Sequence, residues 1–188
     1  FRGVKGSWER AVKGAIEISN AGIPLVIAHT VTPQNLAQVE DMVELSFRLG
    51  ASRIILGEVL PSGRAISNED IILNHDEKNC LYGKIQELQL KYQDKIDIKR
   101  SAELSFQMKR YCIENNAGGI IRPNGEFRLD CMAPFIIGNV LKTSLKEMWM
   151  THGINAWRSK EVQDFIASID DDKQEGNIKN HIDKDILV

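Results

Sequence analysis

Apolar residues along the first hundred positions follow two alternating rhythms, one helical and one continuous. Within 8–19, Val12, Ala15 and Ile16 recur at helical spacing. Ser7 stands where an N-cap is expected, with Arg10 rather than Glu or Gln at the capping-box position. Asn20, Ala21 and Gly22 end that helix, Gly22 being suited to a left-handed C-terminal position. The unbroken apolar run 24–28 predicts a buried parallel strand. Thr32 is then placed to cap a second helix with Pro33 at its first position. That helix is expected to run to about Leu49 through Leu36, Val39, Met42, Val43, Leu45 and Phe47, and Gly50 stops it. Ile54, Ile55 and Leu56 predict a second buried strand, leading through Glu58 into the turn Pro61-Ser62-Gly63-Arg64. After a loop at 67–70 a helix is clearest over 81–92, and Ile96-Asp97-Ile98 predicts a short third strand. Helices and strands alternating through short joins are the signature of βα units on a parallel sheet. The count is about three strands, whereas a closed eight-stranded barrel takes roughly 250 residues.

A different pattern follows. Ile120 and Ile121 lead into Arg122-Pro123-Asn124-Gly125 and then Glu126-Phe127-Arg128-Leu129. Asn-Gly between two strand-like runs is a strong hairpin signal, because both residues accept the positive φ of a tight turn. Segments 119–122 and 126–130 are therefore predicted to pair. Pairing would bring Cys112 and Cys131 toward the same end of the hairpin, despite the eighteen residues between them. A short helix should follow, up to Trp149. Beyond it, 159–169 predicts a helix with Val162, Phe165, Ile166 and Ile169 on one face. The polar stretch 170–188 reads as a weakly ordered tail.

Composition narrows the class. The 188 residues are 43% hydrophobic and 27% charged, ordinary for a globular protein, and can bury a substantial core. A formal net charge of -2 argues against a general attraction to nucleic acid. No apolar run approaches the roughly 20 residues that span a bilayer, and no signal peptide is visible, so no membrane association is expected. Three widely spaced cysteines do not make a disulfide framework, and a reducing cytoplasm is the expected setting. The chain opens on Phe1 without a methionine and runs straight into Arg2-Gly3-Val4-Lys5-Gly6-Ser7, as expected of a piece of something longer.

The candidate chemistry lies in the cysteines and the strand ends. Cys112 and Cys131 are candidate partners on one metal centre. Lys109 and Arg110 stand beside Cys112, and nearby cations favour the thiolate a metal requires. The alternative is that both are unligated thiols packing as small hydrophobes. Cys80, within His75-Asp76-Glu77-Lys78-Asn79-Cys80, matches no ligand spacing and reads as part of a solvated loop. In βα sheets ligands collect at the C-terminal strand edge, which singles out Thr30, Thr32, Glu58 and Arg64. Helix capping by the threonines and solvation of Arg64 are the alternatives.

The order of several phrases carries a resemblance. Cys112, Ala117-Gly118, the Ile121-to-Gly125 turn, Cys131 and Gly138-Asn139-Val140 up to Trp149 resemble the start of the SPASM/twitch extension of radical SAM enzymes. Upstream, Arg2-Gly-Val-Lys-Gly-Ser, Ala21-Gly-Ile-Pro, Val31-Thr-Pro-Gln-Asn and Leu60-Pro-Ser-Gly-Arg-Ala resemble the second half of that family's partial barrel. The resemblance spans Arg2 to Trp149.

It implies an α/β fold. Residues 1–105 would be the second half of a (β/α) partial TIM barrel with parallel strands. Residues 106–150 would form a SPASM/twitch-like β-hairpin and helix, with 151–188 a C-terminal helix and polar tail. It implies a parent enzyme that uses S-adenosylmethionine and [4Fe–4S] clusters to modify a peptide or protein substrate by radical chemistry. Cys112 and Cys131 would each supply one thiolate to an auxiliary cluster, and Thr30 and Arg64 would lie toward S-adenosylmethionine or substrate. The family's Cys-x3-Cys-x2-Cys loop has no counterpart among Cys80, Cys112 and Cys131. No catalytic residue is therefore assigned, and the chain taken alone is expected not to cleave S-adenosylmethionine and to leave the auxiliary site empty or partly filled. The competing expectation is a degenerate, non-catalytic relative that serves as a peptide-binding or scaffold module. A half-barrel with an unpaired strand edge is also expected to self-associate.

Overall fold

The computed structural model of the chain describes residues 3–61, 63–101, 104–114, 118–131, 133–168 and 185–187. It divides into two compact units, Phe1–Val59 with Asp70–Ser101, and Leu60–Glu69 with Ala102–Val188.

The first unit is built from α1 (Ser7–Asn20), β1 (Val26–Val31), α2 (Val39–Arg48), β2 (Arg53–Glu58), α3 (His75–Lys91) and β3 (Asp97–Arg100). The strands form a parallel sheet in the order β1-β2-β3, with Val26 opposite Arg53 and Ile54 opposite Ile98. The expected parallel βα architecture is what the chain adopts. Gly22 and Gly50, which end the first two helices, take φ of 70° and 75°.

Ile54 and Leu56 of β2 are fully buried with Val31, Val39, Val43, Leu81 and Leu88, and these residues form the centre of one apolar cluster. Each such side chain contributes about 1.5–3 kcal/mol by leaving water. Leu56→Ala should therefore lower stability by about 2–5 kcal/mol, read as a shifted urea midpoint with an unchanged slope. A loss below about 1 kcal/mol would mean that Leu56 is not central to this core.

Several local expectations fail for physical reasons. The 24–28 run is not fully buried: among the described residues β1 pairs only with β2, and Val26 keeps 49% of its surface exposed. Ser7 does not cap α1; Gly6 holds the N-cap position at φ 73°. Thr32 caps no helix. Asn35 organises that corner instead, its Nδ2 donating to the Thr30 carbonyl at 3.0 Å and its Oδ1 accepting from the Thr32 amide at 2.8 Å. A 3-10 turn, Leu36–Gln38, then precedes α2. The stretch read as a loop around Cys80 is the start of α3. Asn74 accepts from the Glu77 amide at 3.0 Å, and Glu77 accepts from the Asn74 amide at 2.8 Å, a reciprocal capping box.

The second unit contains α4 (Leu104–Ile113), β4 (Ile120–Ile121), β5 (Glu126–Arg128), β6 (Phe135–Asn139), α5 (Leu145–Met148), α6 (Ile154–Ala156), α7 (Lys160–Ala167) and β7 (Ile186–Leu187). A π-helical turn, Trp149–Gly153, joins α5 to α6. The hairpin forms as expected: Ile120 pairs with Arg128 and Ile121 with Phe127. Gly125 closes its turn at φ 84°, its amide donating to the Arg122 carbonyl at 2.9 Å. A Cβ at Gly125 would lie 2.6 Å from Asn139 Oδ1, so the site excludes a side chain by space as well as by φ.

β6 pairs antiparallel with β5, and β7 pairs parallel with β6. Phe127, Leu129, Phe135, Ile137, Met148, Trp157, Val162 and Ile166 make this unit's core. Val162 and Ile166 confirm the apolar face expected of α7, whereas Ile169 lies outside the described residues. Most of the expected tail also lies outside them, but 185–187 departs from that expectation, since Ile186 and Leu187 form a strand.

Candidate functional site

Polar groups do gather at the C-terminal ends of the first unit's strands, where a βα sheet presents ligands. Glu58, ending β2, accepts a short hydrogen bond from the Tyr82 hydroxyl and an ion pair from Lys78 Nζ at 2.9 Å. Arg100, ending β3, lies 4.2 Å over the Tyr82 ring. Lys78, Tyr82 and Arg100 were not singled out in the sequence, because helix α3 supplies two of them from a stretch read partly as loop. Thr30 is exposed on β1 and caps nothing. It borders a cavity of about 440 Å³ with Trp8, His29, Asn35, Met42 and Ser46. The His29 Nε2 in this wall is buried without a hydrogen-bond partner among the described residues, and desolvation lowers its pKa. Arg64 belongs to the second unit, exposed in the 3-10 turn Gly63–Ser67, its carbonyl accepting from Ser67 Oγ at 3.4 Å.

Cys112 and Cys131 both lie in the second unit. Cys112, near the end of α4, is half-buried against the core. Burial pushes its thiol pKa up, opposed by a hydrogen bond with Gln163 of α7. Lys109 and Arg110 do not make it a thiolate, contrary to the expectation. Arg110, two residues before Cys112 on the helix, turns to another face and its Nε pairs with Glu114 at 2.9 Å, and burial of the sulfur outweighs Lys109 one turn back. Cys131 is exposed as a residue, in the loop between β5 and β6. Desolvation of its sulfur, followed by the charge and hydrogen bond of Asp130, pushes its thiol up to about 11. At pH 8 roughly one such thiol in a thousand is ionised, so alkylation of Cys131 by iodoacetamide should be slow. The rate should climb about tenfold per pH unit toward pH 11 and rise in Asp130→Asn. A Cys131 rate at pH 8 equal to that of a free cysteine peptide would contradict this.

A guanidinium anchors the Cys131 loop. Arg128 Nη1 donates to the Cys131 carbonyl at 2.9 Å, and Arg128 Nη2 pairs with Asp185 Oδ1 at 2.9 Å. Arg122 Nη2 meets the other Asp185 oxygen at 2.7 Å. Asp185, placed by β7, had no signal in the sequence beyond a charge in a polar stretch.

As donors, the two cysteines match half the thiolate set of a [4Fe–4S] cluster. Among the described residues no group of three or more His, Cys, Asp or Glu side chains could hold a metal ion. A cluster on this pair would have to displace two protons that the surroundings favour and take further ligands from elsewhere in the protein.

No family model matches the chain. It is 28% identical over 169 residues to the PqqA peptide cyclase of Rhizobium meliloti, which covers 85% of this chain and 45% of that protein. It is 26% identical to the sporulation killing factor maturation protein SkfB of Bacillus subtilis, over 79% of this chain and 36% of that protein. An AdoMet-dependent heme synthase of Nitratidesulfovibrio vulgaris is 28% identical over 79% of the chain. These relatives are radical SAM enzymes, one a peptide cyclase, one a maturation protein and one a heme synthase.

Solved structures share the fold. Streptococcus suis SuiB bound to S-adenosylmethionine superposes with a TM-score of 0.58 at 14% identity, over 85% of this chain and 39% of SuiB. SuiB bound to its precursor peptide SuiA gives 0.54 at 13% identity, over 92% of this chain and 43% of SuiB. The chain spans under half the length of these relatives and of SuiB. No described helix is long and apolar enough to cross a membrane.

Proposed function

We propose that this chain is the C-terminal part of a radical SAM enzyme that modifies a peptide or protein. The parallel sheet would be the second half of a partial TIM barrel, and the hairpin unit the start of a SPASM/twitch-like extension. The observation that carries this is the order of parts: a parallel βα sheet, then a cysteine-flanked Asn-Gly hairpin, within a match that covers 85% of the chain to PqqA peptide cyclase.

Cys112 and Cys131 would each give a thiolate to an auxiliary [4Fe–4S] cluster in the full-length protein, whose other ligands lie outside the described residues. That cluster would supply a substrate-binding or electron-accepting centre. Thr30 and Arg64 would each lie toward S-adenosylmethionine or substrate, and the Glu58–Tyr82–Arg100 cluster would order the strand ends of the first unit. The exposed edge of β1 supports self-association of the chain when taken alone. A monomer by light scattering at working concentration would remove that part.

The packing of Cys112 against the second unit's core fits a second reading, a non-catalytic relative kept as a peptide-binding or scaffold module with unligated thiols. One experiment separates the two. The full-length protein, reconstituted anaerobically and given reductant and S-adenosylmethionine, should form 5′-deoxyadenosine and change the mass of a peptide substrate. A protein that binds peptide but forms no 5′-deoxyadenosine would be the non-catalytic relative.

A further inference from the structure

We propose that Asp185, acting through Arg128, is the positioning residue of the Cys131 loop, an inference that rests on Cys131 being a cluster ligand. Asp185 reaches the hairpin because β7 pairs with β6, Ile186 donating its amide to the Pro134 carbonyl at 2.7 Å. Its side chain is 2% exposed, that of Arg128 4% and that of Arg122 12%. One carboxylate thus bridges two guanidiniums inside the unit, while Arg122 Nη1 also bonds Glu126 at 3.0 Å. Burying such a triad is costly, and apolar residues of equal volume often serve stability as well or better. Stability alone therefore gives little reason for it.

What the triad does locally is specific. The planar fork of Arg128 holds Asp185 on one nitrogen and the Cys131 carbonyl on the other, so the carboxylate fixes the guanidinium and the guanidinium fixes the backbone that carries the sulfur. Among the described residues, backbone bonds from the Leu129 amide to the Phe135 carbonyl at 3.1 Å and from the Phe135 amide to the Ala133 carbonyl at 2.8 Å tie the loop's ends. Groups that orient a metal ligand in this way typically change metal retention 10–100-fold when removed.

The test uses the full-length protein with Asp185→Asn, Arg128→Lys and the pair Cys112→Ala with Cys131→Ala. Arg128→Lys keeps the charge but cannot span both acceptors, so it carries the test if Asp185→Asn fails to fold. Two quantities are read: the rate of iron loss to EDTA, and iodoacetamide labelling of each cysteine in the iron-free protein, with Cys80 as internal reference. Either single variant should speed iron loss about 10–100-fold and change Cys131 labelling several-fold while Cys80 stays constant. Asp185→Glu should recover part of both. A lowered melting temperature with wild-type iron loss and wild-type Cys131 labelling would overturn the proposal, leaving the triad as packing. If the cysteine pair variant keeps all its iron, the ligand role fails instead, and the labelling arm alone then judges the positioning of the loop.

Discussion

Given iron, sulfide, a strong reductant and S-adenosylmethionine under anaerobic conditions, the 188-residue chain is expected to yield no 5′-deoxyadenosine above a protein-free control. Reductive cleavage requires a cluster held by three thiolates with one iron left open to S-adenosylmethionine. The chain has only three cysteines. Cys80 sits in α3 of the first unit, and Cys112 and Cys131 sit in the second, each in a different element. Both thiols of the second unit are held toward the protonated form, Cys131 up to about 11. No arrangement of one helix residue in one unit and two in the other reproduces a three-cysteine loop. The expected effect is all-or-none, and reproducible 5′-deoxyadenosine from this chain would refute the ligand count.

The second large effect belongs to the full-length protein. Replacing Cys112 and Cys131 together by alanine should remove one cluster, about four irons per chain. 5′-Deoxyadenosine should still form, because in the proposed enzyme the cluster that cleaves S-adenosylmethionine would be a different one. Peptide product should fall by at least the roughly 10–100-fold seen when even the outer shell of a metal site is disturbed. Unchanged iron with a lowered melting temperature would make both residues packing cysteines. Cys112 has the environment for that outcome, being half-buried against Met108, Trp157 and their neighbours.

Much of the fold was legible because its signals are local. Ile54-Ile55-Leu56 reads as a buried strand from composition alone, and Asn124-Gly125 demands a turn whatever surrounds it. Gly22 and Gly50 marked helix ends for the same reason. The failures lie where a neighbour decides. The 24–28 run is apolar enough to be buried, but its burial depends on what pairs with the free edge of β1. Asn74 and Glu77 did carry a capping signal, masked by the polar residues between them and Cys80. Cations near Cys112 in sequence misled because the helix turns Arg110 to another face, where it pairs with Glu114, and because burial of the sulfur outweighs a nearby charge.

The candidate site was less legible than the fold. The positions of Thr30, Arg64, Cys112 and Cys131 were chosen by motif and strand end, whereas Lys78 and Tyr82 meet Glu58, and Arg100 meets the Tyr82 ring, only through the packing of α3 and β3 on β2. Asp185 is the extreme case. Fifty-seven residues separate it from Arg128, and no periodicity links them.

The most direct measurement follows the hydrogen atom. The full-length enzyme is incubated with reductant, S-adenosylmethionine and a peptide substrate deuterated at its carbon-bound positions, and the 5′-deoxyadenosine is analysed by mass spectrometry. A radical maturase should give 5′-deoxyadenosine carrying deuterium, matched by loss of label from the modified peptide. Unlabelled 5′-deoxyadenosine with an unmodified peptide would contradict it.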